Sequence, residues 1–276
     1  MSGRLKWLAI PLLLCLPASA FGWGANGHRL ITNKAVDTLP PEIRGFFDAN
    51  RNFLVQKCTA PLESLAQNPG ERRDHFIYLD RYGRFPFETL PREYNAAVRR
   101  HGRRMIDANG KLPWQIGFYS LKLREAFQAG NWEEAKLMAA TLAYYVGAAH
   151  DPFNTTENHD GNLSGQLGVN RRFSTSLVDR YQLFFFMRPN EAVEVRDPTD
   201  RAFEISLSAH SWIENILLAD RRARRGLNDY TDEYYDRFYN QAGAILLRQL
   251  SDASSEVGSY WLSAWIHAGR PQLPSH

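Results

Sequence analysis

The residues in this sequence that could do chemistry are histidines, two of which are followed directly by an aspartate. His28 and His75 lie in the first third of the chain, and the pairs His150-Asp151 and His159-Asp160 lie near its middle. Imidazole and carboxylate groups are the ligands that zinc prefers, and a zinc-bound water becomes a nucleophile near neutral pH. The alternative is that His150 and His159 are exposed loop residues that form hydrogen bonds or have no role.

The elements that must position these residues are predicted to be helices, because the apolar periodicity is helical nearly everywhere. Strand signals are nearly absent, so the sequence predicts an all-α, multi-helix fold. Residues 58–112 are expected to be mostly loop, with a short apolar piece at 75–79. The predicted helices cover residues 28–39, 42–55, 113–129, 132–149, 169–187, 200–225, 231–250 and 255–268.

One stretch, from Leu142 to Ser174, has a distinctive frame of glycine, proline and polar residues. It reads LAYYVGAAHDPFN and then TTENHDGNLSGQLGVNRRFS. The frame consists of Leu142, Tyr145, Gly147, Pro152, Asn158, Asp160, Gly161, Gly168, Arg172 and Phe173. This frame resembles the metal-ligand hairpin of the zinc-dependent phospholipase C and single-strand nuclease superfamily.

Four shorter segments resemble the same superfamily and follow in its order. They are the WGANGH at 23–28, the RDHFI at 73–77, the LPW at 112–114, and the WLSAW with AGRP at 261–271. The resemblance implies a phospholipase C-like helical fold, three zinc ions, and hydrolysis of phosphate esters by a metal-bridging water. It also implies that Arg172 has a structural role.

The chain departs from the superfamily at most of the metal-binding positions. These positions fall on Leu62, Tyr144, Ala148, Asn154, Asn170 and Ser174, none of which is a good zinc ligand. The retained positions are Trp23, whose free amine would bind zinc in the superfamily, His28 and His75. Since buried carboxylates without a metal would repel one another, loss of the metal favours neutral residues. No catalytic residue is assigned, and the expected cofactor is none or residual zinc.

Two interpretations of the altered positions remain open. Tyr144, Asn154, Asn170 and Ser174, with Arg171 and the retained histidines, would line a polar cleft for an unknown ligand, for which a phosphate ester is one candidate. Alternatively, ligands have moved, and His28, His75 and Asp151 hold one or two zinc ions together with Asp74 or Glu63.

The first 22 residues are typical of a secretory signal peptide, with Arg4 and Lys6 before an apolar segment too short to span a bilayer. Cleavage after Ala20 or after Gly22 fits the pattern, and residues 23–276 are predicted to be one domain. The predicted location is therefore secreted or periplasmic. Without Arg4 and Lys6 the formal net charge falls from +3 to +1, which gives no electrostatic footprint for nucleic acid. Cys58 is the one cysteine left, so no internal disulfide is expected.

Three functions from different classes follow from these observations. The first is a non-catalytic binding or structural module on a phospholipase C-like fold, in effect a pseudoenzyme. The second is a phosphoric-ester hydrolase, of phospholipase C or nuclease type, that uses a reduced or relocated metal site. The third is a lipid- or envelope-associated protein with exposed aromatic residues, for which the run Phe184-Phe185-Phe186 is the candidate surface if it is not buried core.

Overall fold

The computed structural model describes residues 22–274, and all regular structure within that range is helical. The all-α prediction is confirmed. The predicted signal peptide, apart from Gly22, lies outside the described residues. The α-helices are α1 (Gly24–Asp37), α2 (Pro41–Ala49), α3 (Arg51–Lys57), α4 (Ala60–Ser64), α5 (Tyr94–His101), α6 (Arg103–Asn109), α7 (Leu112–Gln128), α8 (Trp132–Ala149), α9 (Leu177–Tyr181), α10 (Pro198–His210), α11 (Ile213–Arg224) and α12 (Asp232–His267).

Helix α8 is the centre of the fold, and its residues 142–149 are all buried. It begins after Asn131, whose side chain caps the helix by accepting from the Glu134 N–H. Helices α1, α3, α7 and α12 pack around it. Two tryptophans fix its backbone: Trp261 of α12 donates to the Ala139 carbonyl at 2.9 Å, and Trp23 donates to the Gly147 carbonyl at 2.9 Å.

Several predicted boundaries differ from the observed ones for local reasons. The predicted helices at 231–250 and 255–268 are one helix, α12, because its buried serines donate to carbonyls four residues earlier and so stay within the helix. The predicted helix at 200–225 is two helices, α10 and α11, which are separated at Ser211 and Trp212. The predicted helix at 42–55 is interrupted at Asn50.

The region 58–112 contains more helix than the sequence pattern indicates. Helix α5 buries only Ala97, and α6 buries Ile106 and Asn109, so neither carries a clear apolar stripe. The start of α5 depends on Glu93, whose side chain accepts from the Asn95 and Ala96 N–H groups. Short capped helices of this kind leave little periodic signal in a sequence.

Four serines of α12 hold a non-helical segment, residues 188–195, which we call the strap. Their hydroxyls accept backbone N–H groups of the strap at 2.7–3.2 Å: Arg188 to Ser251, Asn190 to Ser255, Val193 to Ser259 and Val195 to Ser263. Serines four residues apart lie on one helix face, so the strap runs along α12. Four backbone N–H groups of the strap are thereby satisfied without a strand partner.

The aromatic run at 184–186 is mostly outside the core. The helical turn that follows α9 ends at Phe184, which is 79% exposed, and Leu183 and Phe186 are 91% and 72% exposed. Phe185 alone packs inward, with its ring parallel to that of Tyr239. The interpretation of this run as buried core is therefore wrong for Phe184 and Phe186.

Candidate functional site

The C-terminal half of α8 brings two of the predicted metal-site residues together around Tyr144. The ring of His28, from α1, stacks on the Tyr144 ring with 4.3 Å between centroids. His75 Nδ1 lies 2.7 Å from the Tyr144 hydroxyl. Gly147 allows the close approach of α1, since a Cβ there would lie 3.1 Å from His28 Nδ1. The phenol thus contacts both histidines.

The loop that carries His75 is fixed by backbone hydrogen bonds to its neighbours. Ile77 N–H donates to the Asn154 carbonyl at 2.9 Å, and Tyr78 N–H donates to the Asn109 carbonyl at 2.7 Å. These bonds tie the loop to α6 and to the chain that follows α8. His75 is therefore held beside α8 although it lies outside any long helix.

A second group of polar residues follows the end of α8. Asp151 accepts from the Phe153 N–H, and Asn154 donates to the Ala148 carbonyl at 2.9 Å. Ser174 lies near the Asp151 side chain and favours its ionised form. The Asp151 charge also acts on Tyr144, so the two groups lie within electrostatic range of each other. We call His28, His75, Tyr144, Asp151, Asn154 and Ser174 the polar cluster.

Three further residues from the sequence analysis are not members of the polar cluster: Asn170, Arg171 and Arg172. Asn170 is buried immediately before the π-helical turn Arg171–Ser176, a type of distortion frequent at functional sites. Arg171 is exposed and so does not line a buried cleft. Arg172 forms a buried ion pair with Asp220 at 3.0 Å, as a structural arginine would.

The backbone at Gly22 and Trp23 also reaches the polar cluster. A Cβ at Gly22 would lie 3.1 Å from Asn154 Nδ2 and 3.6 Å from Asp151 Oδ2. The Trp23 side chain points into the core. A new amine created by cleavage after Gly22 would therefore arise beside Asp151 and Asn154.

The polar cluster contains several buried polar atoms with no hydrogen-bond partner within residues 22–274. They are both ring nitrogens of His28, Nε2 of His75, Oδ2 of Asp151 and Oγ of Ser174, and Oδ1 of Asn170 shares this property. Buried polar groups are almost always hydrogen-bonded in folded proteins. Such a concentration in one place indicates a position for a bound polar group.

Burial keeps the polar cluster nearly free of charge. Burial, with repulsion from His75, lowers the pKa of His28 to about 3, and burial lowers that of His75 to about 4. Burial also raises the pKa of Asp151 to about 7 and, with the Asp151 charge, raises the pKa of Tyr144 far above its usual value. At neutral pH the histidines are neutral and the phenol is protonated, so the charge comes from Asp151 alone.

These residues do not fit a zinc centre of the superfamily type. Within residues 22–274 there is no group of three or more His, Cys, Asp or Glu side chains placed to hold a metal ion. The acids considered for a relocated site have other partners: Asp74 pairs with Lys111 at 2.9 Å, and Glu63 accepts from Thr59 at 2.7 Å. His28, His75 and Asp151 do not form such a group by themselves, so a reduced site would need a further donor.

The two histidines near the middle of the chain have different surroundings. His150 is only 5% exposed, so its interpretation as an exposed loop residue is wrong. His159 is partly exposed, stacks on Tyr78, and has Nδ1 3.1 Å from the Glu157 carbonyl oxygen. Neither belongs to the polar cluster.

Comparisons with known proteins support the fold. No protein-family model matches the chain, and no curated protein does. Among solved structures, the chain is similar to alpha-toxin from Clostridium perfringens avian strain SWCP, with a TM-score of 0.52 and 13% sequence identity. The match covers 90% of this chain and 65% of the toxin chain. At this identity the likeness concerns the fold alone, and it supports the phospholipase C-like helical fold that the sequence resemblance implies.

Proposed function

We propose that this protein is a secreted or periplasmic binding module that keeps the phospholipase C-like fold and has lost tri-zinc catalysis. The observation that carries the proposal is the position of Tyr144, which stacks on His28 and contacts His75 through its hydroxyl. A residue at a superfamily ligand position thus joins the two retained histidines. A phenol that stays protonated at neutral pH is a poor ligand for zinc.

The electrostatics of the polar cluster support a neutral, polar ligand. Three dications need several anionic or imidazole ligands to offset their charge. Here the neutral side chains Asn154 and Ser174 replace such ligands, and Asp151 is the one carboxylate among the six residues of the polar cluster. The unpartnered atoms of His28, His75 and Ser174 offer hydrogen bonds to an uncharged molecule that enters the site.

The second candidate function is a phosphoric-ester hydrolase with a reduced metal site. It is favoured by the unpartnered nitrogens of His28 and His75 and by the unpartnered Oδ2 of Asp151, which together offer imidazole and carboxylate donors. A metal ion held there would polarise a phosphoryl oxygen and lower the pKa of a water. Cleavage after Gly22 would add the Trp23 amine beside Asp151.

Zinc content and phosphodiesterase activity of the same preparation separate the two functions. We expect fewer than two zinc ions per chain after dialysis, and no zinc-dependent hydrolysis of phosphatidylcholine or single-stranded DNA. Elemental analysis and product release measure these quantities. Chelator-sensitive turnover that His75→Ala abolishes would establish the hydrolase and overturn the binding module.

Restoring the superfamily ligands tests whether the scaffold is preserved. A variant with all six changes should take up more zinc than the wild-type protein, since the Tyr144 position on α8 contacts both His28 and His75. The changes are Leu62→Asp, Tyr144→His, Ala148→Asp, Asn154→His, Asn170→His and Ser174→Glu. Zinc uptake no higher than wild type in a folded variant would contradict the alignment of these positions.

Mass spectrometry of the secreted chain tests where the predicted signal peptide is cleaved. Cleavage after Gly22 would begin the mature chain at Trp23 and free its amine. A mature chain that begins at Phe21 would keep the Trp23 nitrogen in a peptide bond, and the reduced metal site would then lose one donor.

A further inference from the structure

A small cavity lies where α7 faces the start of α10 and the C-terminal part of α12. It has a volume of about 190 Å³, which is room for roughly six water molecules at about 30 Å³ each. That volume is below the range of roughly 300–1,000 Å³ that is usual for drug-sized ligands. None of the residues that line it belongs to the polar cluster. The cavity is therefore separate from the site described above and suits a ligand group of a few heavy atoms.

Two arginines without an acidic partner line this cavity. Arg124 belongs to α7, and Arg196 lies between the strap and α10. Neither side chain forms an ion pair or a hydrogen bond with another group in residues 22–274. No carboxylate is among the residues that line the cavity. Two guanidinium charges thus share one cavity wall that supplies no counter-charge.

The guanidinium of Arg124 is partly withdrawn from water without compensation. The residue is half-buried, and its Nε is buried with no hydrogen-bond partner in the described part of the chain. The terminal nitrogens, Nη1 and Nη2, are not buried in this way, so a ligand would contact them rather than Nε. Arginine charges that enter a protein are normally paired, because lost hydration is costly. A cation that lacks its acceptors in a cavity wall points to a bound anion.

The acids near this cavity are engaged with other groups. Asp197 lies between two lining residues in the chain, but its carboxylate caps α10 by accepting two N–H groups of the first turn. Glu194 lies 3.3 Å from Nε2 of His267, the third basic residue of the lining. His267 therefore already has an acidic partner, and the two arginines are the groups available to a further anion.

We propose that this cavity binds a phosphate group between the guanidinium groups of Arg124 and Arg196. Arginine donates paired N–H groups to phosphate oxygens, and these charge-assisted hydrogen bonds are stronger than neutral ones. The Thr199 hydroxyl also lines the cavity, has no partner among the described residues, and supplies a further donor. Inorganic phosphate and a small phosphate monoester share this chemistry. The site does not depend on the function proposed for the polar cluster.

Inorganic phosphate and glycerol 3-phosphate are suitable probes, and glycerol is the uncharged counterpart of the ester. Isothermal titration of the full chain at pH 7.5 and constant ionic strength should show saturable binding of a phosphate, with a Kd on the order of 1 mM or lower. Glycerol should not bind measurably. Tighter binding of inorganic phosphate would identify the free ion as the ligand, and tighter binding of the ester would identify a monoester. No saturable binding of either phosphate, or equal binding of glycerol, would overturn the proposal.

Two variants locate the site. Arg196→Gln should weaken phosphate binding about tenfold, because charge-assisted hydrogen bonds become neutral ones. Arg124→Gln should have a similar effect, with its folding checked by circular dichroism. Arg100→Gln makes the same charge change at an exposed position of α5, outside the cavity lining, and should leave the affinity unchanged. Since Arg196 is exposed, its variant should fold, and wild-type affinity in that variant would overturn the proposal even if Arg124→Gln failed to fold.

Discussion

Asp151 has an unusual combination of surroundings for a carboxylate. It is fully buried, one oxygen accepts the Phe153 N–H, and the other has no hydrogen-bond partner within residues 22–274. Its pKa in the folded protein is about 7, above the usual value of 3.8. Because the fold favours the protonated form, the stability that this group contributes is present below pH 3.8 and is lost as the pH rises towards 7.

Replacement of Asp151 by asparagine should therefore stabilise the protein at alkaline pH. The amide keeps an acceptor for Phe153 and removes the buried charge. We expect a gain on the order of 2 kcal/mol in the free energy of unfolding at pH 8 and little change at pH 4, measured by urea denaturation. If Asp151→Asn instead lowers the free energy of unfolding at pH 8, and does so only when zinc is added, Asp151 is a metal ligand.

The sequence predicted that Tyr144 would lie near His28 and His75, but it did not predict the hydrogen bonding around them. The frame around Gly147 and Pro152 aligned Tyr144 with a ligand position, and the structure brings Tyr144 to His28 and His75. The sequence offered no means to decide that Asp151 would lie within electrostatic range of this group while His150 would stay outside it. That division depends on how the chain turns after α8, which is set by tertiary contacts.

At the scale of elements, Leu183, Phe184 and Phe186 form an exposed apolar surface, which we call the tip. The ring of Phe185, within the same run, is packed instead. Phe185 lies against Tyr239, whose other neighbour in this stack is Tyr181 of α9. The tip is thus anchored by one inward aromatic residue and presents three apolar side chains outward. In a run of like residues, sequence cannot tell the inward one from its neighbours.

Alanine substitutions in this run should have unequal effects. Phe185→Ala should lower the free energy of unfolding by about 1–2 kcal/mol because it removes partly buried area against Tyr239. Phe184→Ala should change it by less than about 0.5 kcal/mol because the side chain is mostly exposed. Chemical denaturation of both variants measures the difference, and equal losses would place Phe184 in the core.

The hydroxyls of α12 are a second element whose role can be measured. Ser263 is buried and accepts the Val195 N–H at 2.7 Å, so Ser263→Ala would leave that N–H without a partner. We expect a loss of about 1–3 kcal/mol in the free energy of unfolding.

Ser254 is the matched control for that change. It is also buried, but its observed hydrogen bond goes to the Leu250 carbonyl within α12. Ser254→Ala should therefore cost less than Ser263→Ala in the same denaturation experiment. An equal cost would mean that the hydrogen bonds to the strap contribute nothing beyond burial.

The helices differed in how far sequence could define them. The bounds of α8 agree with the prediction because Asn131 caps its start and nearly all of its C-terminal half is apolar. The continuity of α12 did not follow from the sequence, since a serine-rich stretch is as typical of a loop as of a buried helix face. Only the packing of the strap shows why those serines are there.

For the whole molecule, the buried histidines make stability sensitive to acid. His28, His75 and His150 all have lowered pKa values and are neutral in the folded protein. The unfolded chain binds protons that the folded chain does not. The stability that these histidines contribute is therefore present above pH 6.5 and is lost as the pH falls towards 3 or 4.

Within residues 22–274 no helix has the length and apolarity needed to cross a membrane.

His150 allows one contribution to this acid sensitivity to be isolated. Its pKa shift, from 6.5 to about 3, predicts that the wild-type protein loses about 2 kcal/mol more than His150→Phe between pH 7 and pH 5. The measurement compares the slope of the unfolding free energy against pH in the two proteins. A pH-independent effect of the phenylalanine on stability leaves that slope unchanged. Parallel slopes would show that His150 is protonated to the same extent in both states.

The hydrogen bonds between the strap and the α12 serines also determine which substitutions this protein can accept. The strap is held through its backbone, so its exposed side chains at 190 and 193 are free to change as long as both residues keep an N–H group. A saturation library should accept most residues at these positions and reject proline, which has no such group. The serines of α12 should tolerate threonine and little else, because each hydroxyl must remain an acceptor. A surface segment would then vary widely across descendants while the buried helix beneath it stayed nearly constant.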